Sequence, residues 1–428
     1  MFKIILFVFL YFFSTSLYSL TIKETIKSTI ENNPKIKIGL EKINESKEIV
    51  VNASGELLPD ISSTISGTYE SSTKESSTSK TKDDTFSDKY KLTISQNLYD
   101  AGYNQLEIER SEILLDNEIL NFKILVENLI LDAISGYLTV LNYETSLENT
   151  NKNFESMTKV LEEINTMYNA DAATLYDLKS AESSFAMAET NLFLAQQNLS
   201  IGKKSFKRIV GLEAIDLETI ININSNLNLN EIEENAFNNN LSLQLLKNDI
   251  KNKEILLLKE KKTKKPNLDL TGTAEYSETD RIDGGTETLK SNIALTLTIP
   301  IFQQGIDDSN IRKYYSQILQ AELNLQDSEE DLLIVISNAF KDFKISESKM
   351  NANKFSIAAS EIALQSLKQE YLMGTKTISD YLIEEERFLN LKVDYSNATK
   401  EFFVSYFKIK SLEGNLLKVF DEFLPELN

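Results

Sequence analysis

Four stretches of the chain alternate apolar and polar residues with a period of two. Tyr90, Leu92, Ile94 and Leu98 fall on one face, with Gln96 the exception, and Lys89, Lys91, Thr93, Ser95 and Asn97 fall on the other. Asp60 to Ser72 precedes them, and the Ser-, Thr-, Lys- and Asp-rich stretch Ser71 to Phe86 predicts an exposed polar loop between the two flanks. Further on, Leu268, Leu270, Ala274 and Tyr276 oppose Asn267, Asp269, Thr271, Thr273 and Glu275, and Ile293, Leu295, Leu297 and Ile299 oppose Asn292, Ala294, Thr296 and Thr298. About ten residues of such alternation is the length and pattern of a tilted transmembrane β-strand with one face on lipid. A half-buried strand of a soluble sheet has the same pattern, but two hairpins isolated by long helical stretches make a poor soluble sheet. A bilayer forbids open sheet edges, so four such strands need partner chains to close a barrel.

After each strand pair the period changes to that of a helix. Tyr103 to Thr166 reads as one run of about 64 residues, or about 96 Å. Leu106, Ile113 and Leu120 recur every seven residues, and the phase then slips by four to Ile124, Leu131 and Leu138. Ile311, Ile318, Leu325, Leu332 and Ala339 keep the seven-residue spacing in the second run. Heptads signal coiled-coil packing and a four-residue slip unwinds it locally; an ordinary amphipathic bundle shares the signal. Turns are expected at Asn169–Ala173 and Met373–Lys376, with returning helices to about Val210 and Leu412.

The two halves are copies. Leu92 through Gly102 matches Leu295 through Gly305, 203 residues on, and Tyr168, Thr174, Asp177, Glu182 and Gly211 match Tyr371, Thr377, Asp380, Glu385 and Gly414 at the same offset. Upstream, Asn32-Asn33 matches Asn239-Asn240 and Pro59 matches Pro266 at 207, so the length change falls between Pro59 and Leu92. The reading divides the chain into 1–19, a leader; 20–211, a first repeat (strand pair about 60–98, helical hairpin about 103–210); 212–240, a linker and helix; and 241–428, a second repeat (strand pair about 267–299, helical hairpin about 306–412, then a C-terminal segment). The leader rests on Lys3, the ten apolar residues Ile4 to Phe13 and the small polar stretch to Ser19, the order of a secretory signal peptide.

Composition narrows the chemistry. In 428 residues there are only 5 prolines and 13 glycines, which suits very long helices. Cysteine, histidine and tryptophan are all absent. That removes disulfides, thiolate or imidazole metal sites and His-based catalysis, and no cofactor or catalytic turnover is expected. A net charge of −20 disfavours nucleic acid as a partner and fits an acidic surface or an acid-lined pore.

A leader, a duplicated strand pair and a long helical hairpin together resemble the TolC family of outer-membrane efflux proteins. The resemblance is carried by Asn97-Leu98-Tyr99-Asp100-Ala101-Gly102 and Pro300-Ile301-Phe302-Gln303-Gln304-Gly305 at the strand–helix junctions, and by Tyr371 through Asp380 at the second helical turn. It implies an α+β membrane protein: a homotrimer in which four transmembrane β-strands per protomer form a twelve-stranded barrel, continued by a long α-helical, coiled-coil barrel across the periplasm. It implies an exit duct for small molecules or proteins, set in outer-membrane lipid and working with a periplasmic adaptor and an inner-membrane pump or ABC transporter. By motif position, Tyr371 and Lys376 would reach Asp177 and Tyr176 as the periplasmic gate, and Asp380 would form a carboxylate ring at the constriction. The tip turns around Asp171, Thr174, Gly374 and Thr377 would meet the adaptor, and Tyr99, Gly102, Pro300, Phe302 and Gly305 would mark the junctions. The chain departs from the family in having Lys376 for the usual arginine, Asp171 for a glycine, and Ile383 for a second ring aspartate. A trimeric coiled-coil adhesin or spacer is the rival reading; it needs the heptads but not the repeated strand pairs.

Overall fold

The computed structural model describes residues 19–219, 223, 226–281 and 284–425; the leader expected over 1–19 lies almost wholly outside them. In order, the chain forms α1 (Ile22–Asn32), α2 (Pro34–Gly55), β1 (Asp60–Ser76), β2 (Ser79–Tyr99), α3 (Tyr103–Asn169), α4 (Leu175–Val210), α5 (Leu229–Asn239), α6 (Leu241–Lys262), β3 (Asn267–Arg281), β4 (Thr286–Thr298), α7 (Ile306–Leu372), α8 (Ile378–Leu412), a short turn, α9 (Leu416–Val419), and a 3-10 turn over Asp421–Phe423. The proline-free runs are what permit α3 and α7, at 67 residues each.

Two compact units divide the chain. One gathers the described residues up to Lys37, those of Lys123–Asn240 and those from Asp331 onward; the other gathers Ile38–Phe122 and Leu241–Glu330. Each therefore draws on both repeats.

The second unit is built on a four-stranded antiparallel sheet in the order β1-β2-β3-β4. Its register sets Ile61 opposite Ile94, Tyr90 opposite Tyr276, Leu270 opposite Leu295 and Tyr276 opposite Leu289, so the apolar positions of all four strands share one face. That face is open: Ile65 is 73% exposed and Ile293 is 82% exposed. Lys91, Thr93 and Ser95, on the polar side of β2, are the half-covered residues. This inverts a soluble sheet. The loop expected over Ser71 to Phe86 is instead the far end of the β1–β2 hairpin, paired without a break to Ser76 opposite Ser79. Its Ser and Thr residues tolerate the strand, and charges meet across or along it, Lys80 with Glu75 and Lys82 with Asp84. Below the sheet, Lys259 pairs with Glu107, which Arg110 also holds, and lies 4.3 Å from the centre of the Tyr103 ring. Lys264 pairs with Asp308.

The first unit is helical. Its α1 starts with a reciprocal cap between Thr21 and Glu24. Ala133, Tyr137, Val140, Phe206 and Val210 are fully buried together. α3 is long and apolar enough to cross a membrane by length and composition, and half of its most apolar window is buried inside the protein. The repeated Asn pairs also acquire a purpose. Asn33 donates its amide to the Ile209 carbonyl at 2.9 Å, and Asn240 does the same to Leu412 at 3.3 Å. Gly211 and Gly414 follow, both left-handed, and a side chain there would run into Asn32 and Asn239 respectively. The repeat is therefore a shared way of ending the returning helix on the first helix of its own half.

Candidate functional site

The two helical tips are built alike, bond for bond. At the end of α3 the N–H of Ala172 reaches the Met167 carbonyl at 2.8 Å, and that of Asp171 reaches Tyr168 at 3.1 Å. At the end of α7 the N–H of Thr375 reaches Glu370 and that of Gly374 reaches Tyr371, both at 2.9 Å. This is a Schellman ending, whose left-handed residue is Asp171 (φ 56°) in one tip and Gly374 (φ 76°) in the other. The aspartate standing where a glycine is expected thus holds a glycine backbone.

Each returning helix then opens with a capping box. Thr174 accepts from the Asp177 N–H while Asp177 accepts from the Thr174 N–H and hydroxyl; Thr377 and Asp380 repeat the arrangement. The Thr-x-x-Asp spacing is a sequence signal for a helix start, and the carboxylates expected at the gate are used first to fasten their own helices. The bonds from Thr377, with Lys376 nearby, hold the Asp380 carboxyl below its ordinary range, so it is ionised at neutral pH.

Beneath the tips lies an apolar cluster of Met157 and Ile164 from α3, Leu178, Ala181 and Ala188 from α4, and Ile378, Tyr381 and Leu382 from α8. It clamps one hairpin to the other. Above it, the Tyr371 hydroxyl points at the Met167 sulfur at 3.6 Å rather than bonding Asp177. Burial, then the negative charges of Glu163 and Asp177, push its pKa up. Tyr176 is exposed and its hydroxyl meets Ser379 at 3.4 Å. Lys376 makes no ion pair among the described residues. Within one copy the structure thus gathers Tyr371 with Asp177 and Tyr176 with Ser379, and leaves Lys376 unpaired. Ile383, 65% exposed, gives that position no charge.

At the junctions, Ala101-Gly102 and Gln304-Gly305 are consecutive left-handed pairs that turn strand into helix. Asp100 secures the first by accepting from the N–H groups of Gly102 and Asn104 at 2.8 and 2.7 Å. Tyr99, Ile301 and Phe302 are exposed beside these turns. Pro300 and Gly305 line a small cavity with Phe302 and Asp308.

Three polar sites deep in the helices had no sequence signal. Glu127 of α3 is buried, accepts a 3.4 Å bond from Ser411 and leaves Oε1 without a partner. Asn142 of α3 bonds Asn397 of α8 at 2.9 Å. Glu384 is buried and bonded by Ser360. No group of three acidic residues with metal-holding geometry occurs among the described residues.

Residues 25–212 match the family model described as outer membrane efflux protein. The chain is 24% identical over 308 residues to outer membrane protein TolC of Escherichia coli, spanning 68% of this chain and 62% of that relative, under two thirds of its length. It is 20% identical to TolC of Salmonella enteritidis over 94% of this chain and 84% of the relative. Its fold matches the Campylobacter jejuni CmeC outer membrane channel with a TM-score of 0.76 at 15% identity, covering 94% of this chain and 90% of that one.

Proposed function

We propose that this chain, similar to outer membrane efflux proteins over residues 25–212 and to TolC relatives over most of its length, is an outer-membrane member of the TolC family and that three copies of it form a passive exit duct. Three sheets close a twelve-stranded barrel, and the long helices continue it into the periplasm. Cargo, small molecules or proteins, arrives through a periplasmic adaptor and an inner-membrane pump or ABC transporter, which supply the energy. The adaptor meets the turns around Asp171, Thr174, Gly374 and Thr377. Tyr176, Asp177, Tyr371 and Lys376 latch the tips, and Asp380 supplies the carboxylate ring of the constriction; rings of this kind attract cations in channels.

The observation that carries this reading is the sheet. Its outward face is apolar and uncovered, and β1 and β4 are its edges. In hydrocarbon an edge of unpaired N–H and C=O groups is untenable, so β1 of one copy has to pair with β4 of another. Tyr69 lies opposite Phe86 and Tyr90 opposite Tyr276 on the outward face, two aromatic pairs four residues apart along β2, the kind of residue that lines a membrane interface. The purified protein reconstituted in a planar bilayer is expected to give discrete cation-preferring conductance steps and to migrate as a trimer until heated. A sample that stays monomeric and shows no conductance overturns the proposal.

A further inference from the structure

We infer that the polar face of the sheet holds a binding patch for small multivalent anions of the polyphosphate kind, made by Lys89, Lys91 and Lys290 around Glu275. The inference rests on the duct reading above, which makes that face the lining of the barrel, and deepens it by naming a class of cargo.

The register brings the four residues together. Lys91 of β2 stands directly opposite Glu275 of β3, and Glu275 directly opposite Lys290 of β4. Residues directly opposite share a face, and this face is turned away from that of Tyr90, Leu92 and Leu289. Lys89, two residues along β2 and so on the same side, reaches back to Glu275 at 3.3 Å. Two residues of strand span about 7 Å and neighbouring strands lie about 5 Å apart, so the three lysine backbones fit within about 12 Å. The flexible stems of lysine can close that span around one anion.

The charges do not cancel. One carboxylate faces three ammonium groups, a local positive excess in a chain whose net charge is −20. The carboxylate is also the covered member: the Glu275 side chain is 24% exposed against 49% for Lys89, and Lys290 is exposed. A solute above the sheet therefore meets ammonium groups first. The rows on either side are uncharged, Thr93, Thr273 and Asn292 in one and Ser87, Thr279 and Thr286 in the other. They offer hydroxyl and amide donors to an oxyanion and leave the lysines unscreened. A basic patch against a low-dielectric wall concentrates anions, most strongly those of highest charge. In the assembled duct the carboxylates of the tip sort small ions at the constriction, and the lysines hold multivalent anions in the barrel.

Tripolyphosphate is the probe. Protein added to one side of a planar bilayer leaves its helices on that side and its barrel mouth facing the opposite chamber. Tripolyphosphate added to that opposite chamber, in magnesium-free potassium chloride, is expected to reduce the current in a voltage-dependent way. Lys89→Gln/Lys91→Gln/Lys290→Gln should raise the half-blocking concentration about tenfold or more, since three nearby charges are lost. Lys89→Arg/Lys91→Arg/Lys290→Arg, which keeps the charge, should keep the block. Glu275→Gln should lower the half-blocking concentration, because the patch then carries positive charge alone. If the glutamine variant does not insert, the direction of the Glu275→Gln shift decides. Channels that tripolyphosphate does not block, a block that survives the triple glutamine variant, or one that Glu275→Gln fails to strengthen overturn the inference and leave the duct standing. No channels from the unaltered protein overturns both.

Discussion

Glu127 is a carboxyl group in the wrong solvent. Burial raises its pKa to about 7 from an ordinary 4.5, against a smaller opposing effect of the Ser411 bond. A folded-state value above the unfolded one means the neutral acid is what the fold accommodates. Its contribution is fully present below about pH 4.5 and is lost as the pH rises through 7. Glu127→Gln keeps the shape and removes the charge, so it should raise the thermal unfolding midpoint above pH 7, by up to about 3 kcal/mol in stability, and change little at pH 4.5. Melting curves of both proteins across that range check it; an equal shift at every pH would point to packing rather than titration. Nothing in the local sequence marks this residue, because Glu127 lies in a heptad-like run and only the approach of α8 removes its water. Asp177 and Asp380 teach the opposite lesson. The Thr-x-x-Asp spacing is by itself the signature of a helix start, and both aspartates serve their own helices as caps whatever they do at the tips.

At the scale of elements, the alternation of Leu92, Ile94, Leu268, Leu270, Leu295 and Leu297 was readable because a strand has a period of two and this sheet leaves its apolar side uncovered. The hairpin ends were not readable, since Ser71 to Thr85 has no apolar side, and polar strand and polar loop then look alike. The two sides of β4 are separable by experiment. Leu295→Arg puts a charge on the lipid side and should cost about 2–4 kcal/mol near the bilayer centre, enough to lower the membrane-inserted, heat-modifiable fraction severely. Thr296→Arg, one residue on and on the opposite face opposite Asp269, should insert normally and shift ion selectivity instead. Equal loss in both variants would mean that the sheet does not have a lipid side.

For the whole molecule, the proposed duct would stay shut only if its tips held one another. Asp177→Ala and Lys376→Ala should each raise spontaneous conductance in planar bilayers. Lys376→Ala is the cleaner arm, since Asp177 also caps α4 and its loss costs about 1 kcal/mol of helix stability on its own account. Unchanged conductance in both removes the latch. Much of the helical hairpin was legible from spacing, whereas Lys376 finds no ion-pair partner among the described residues. The open edges of the sheet have a genetic consequence. With β1 and β4 both edges, each copy in the proposed trimer would lend a border to two neighbours, and a single faulty border would spoil the shared circle. A cell making sound and faulty chains in equal amounts would assemble a wholly sound trio only about one time in eight, so a lesion confined to an outer strand should behave as dominant.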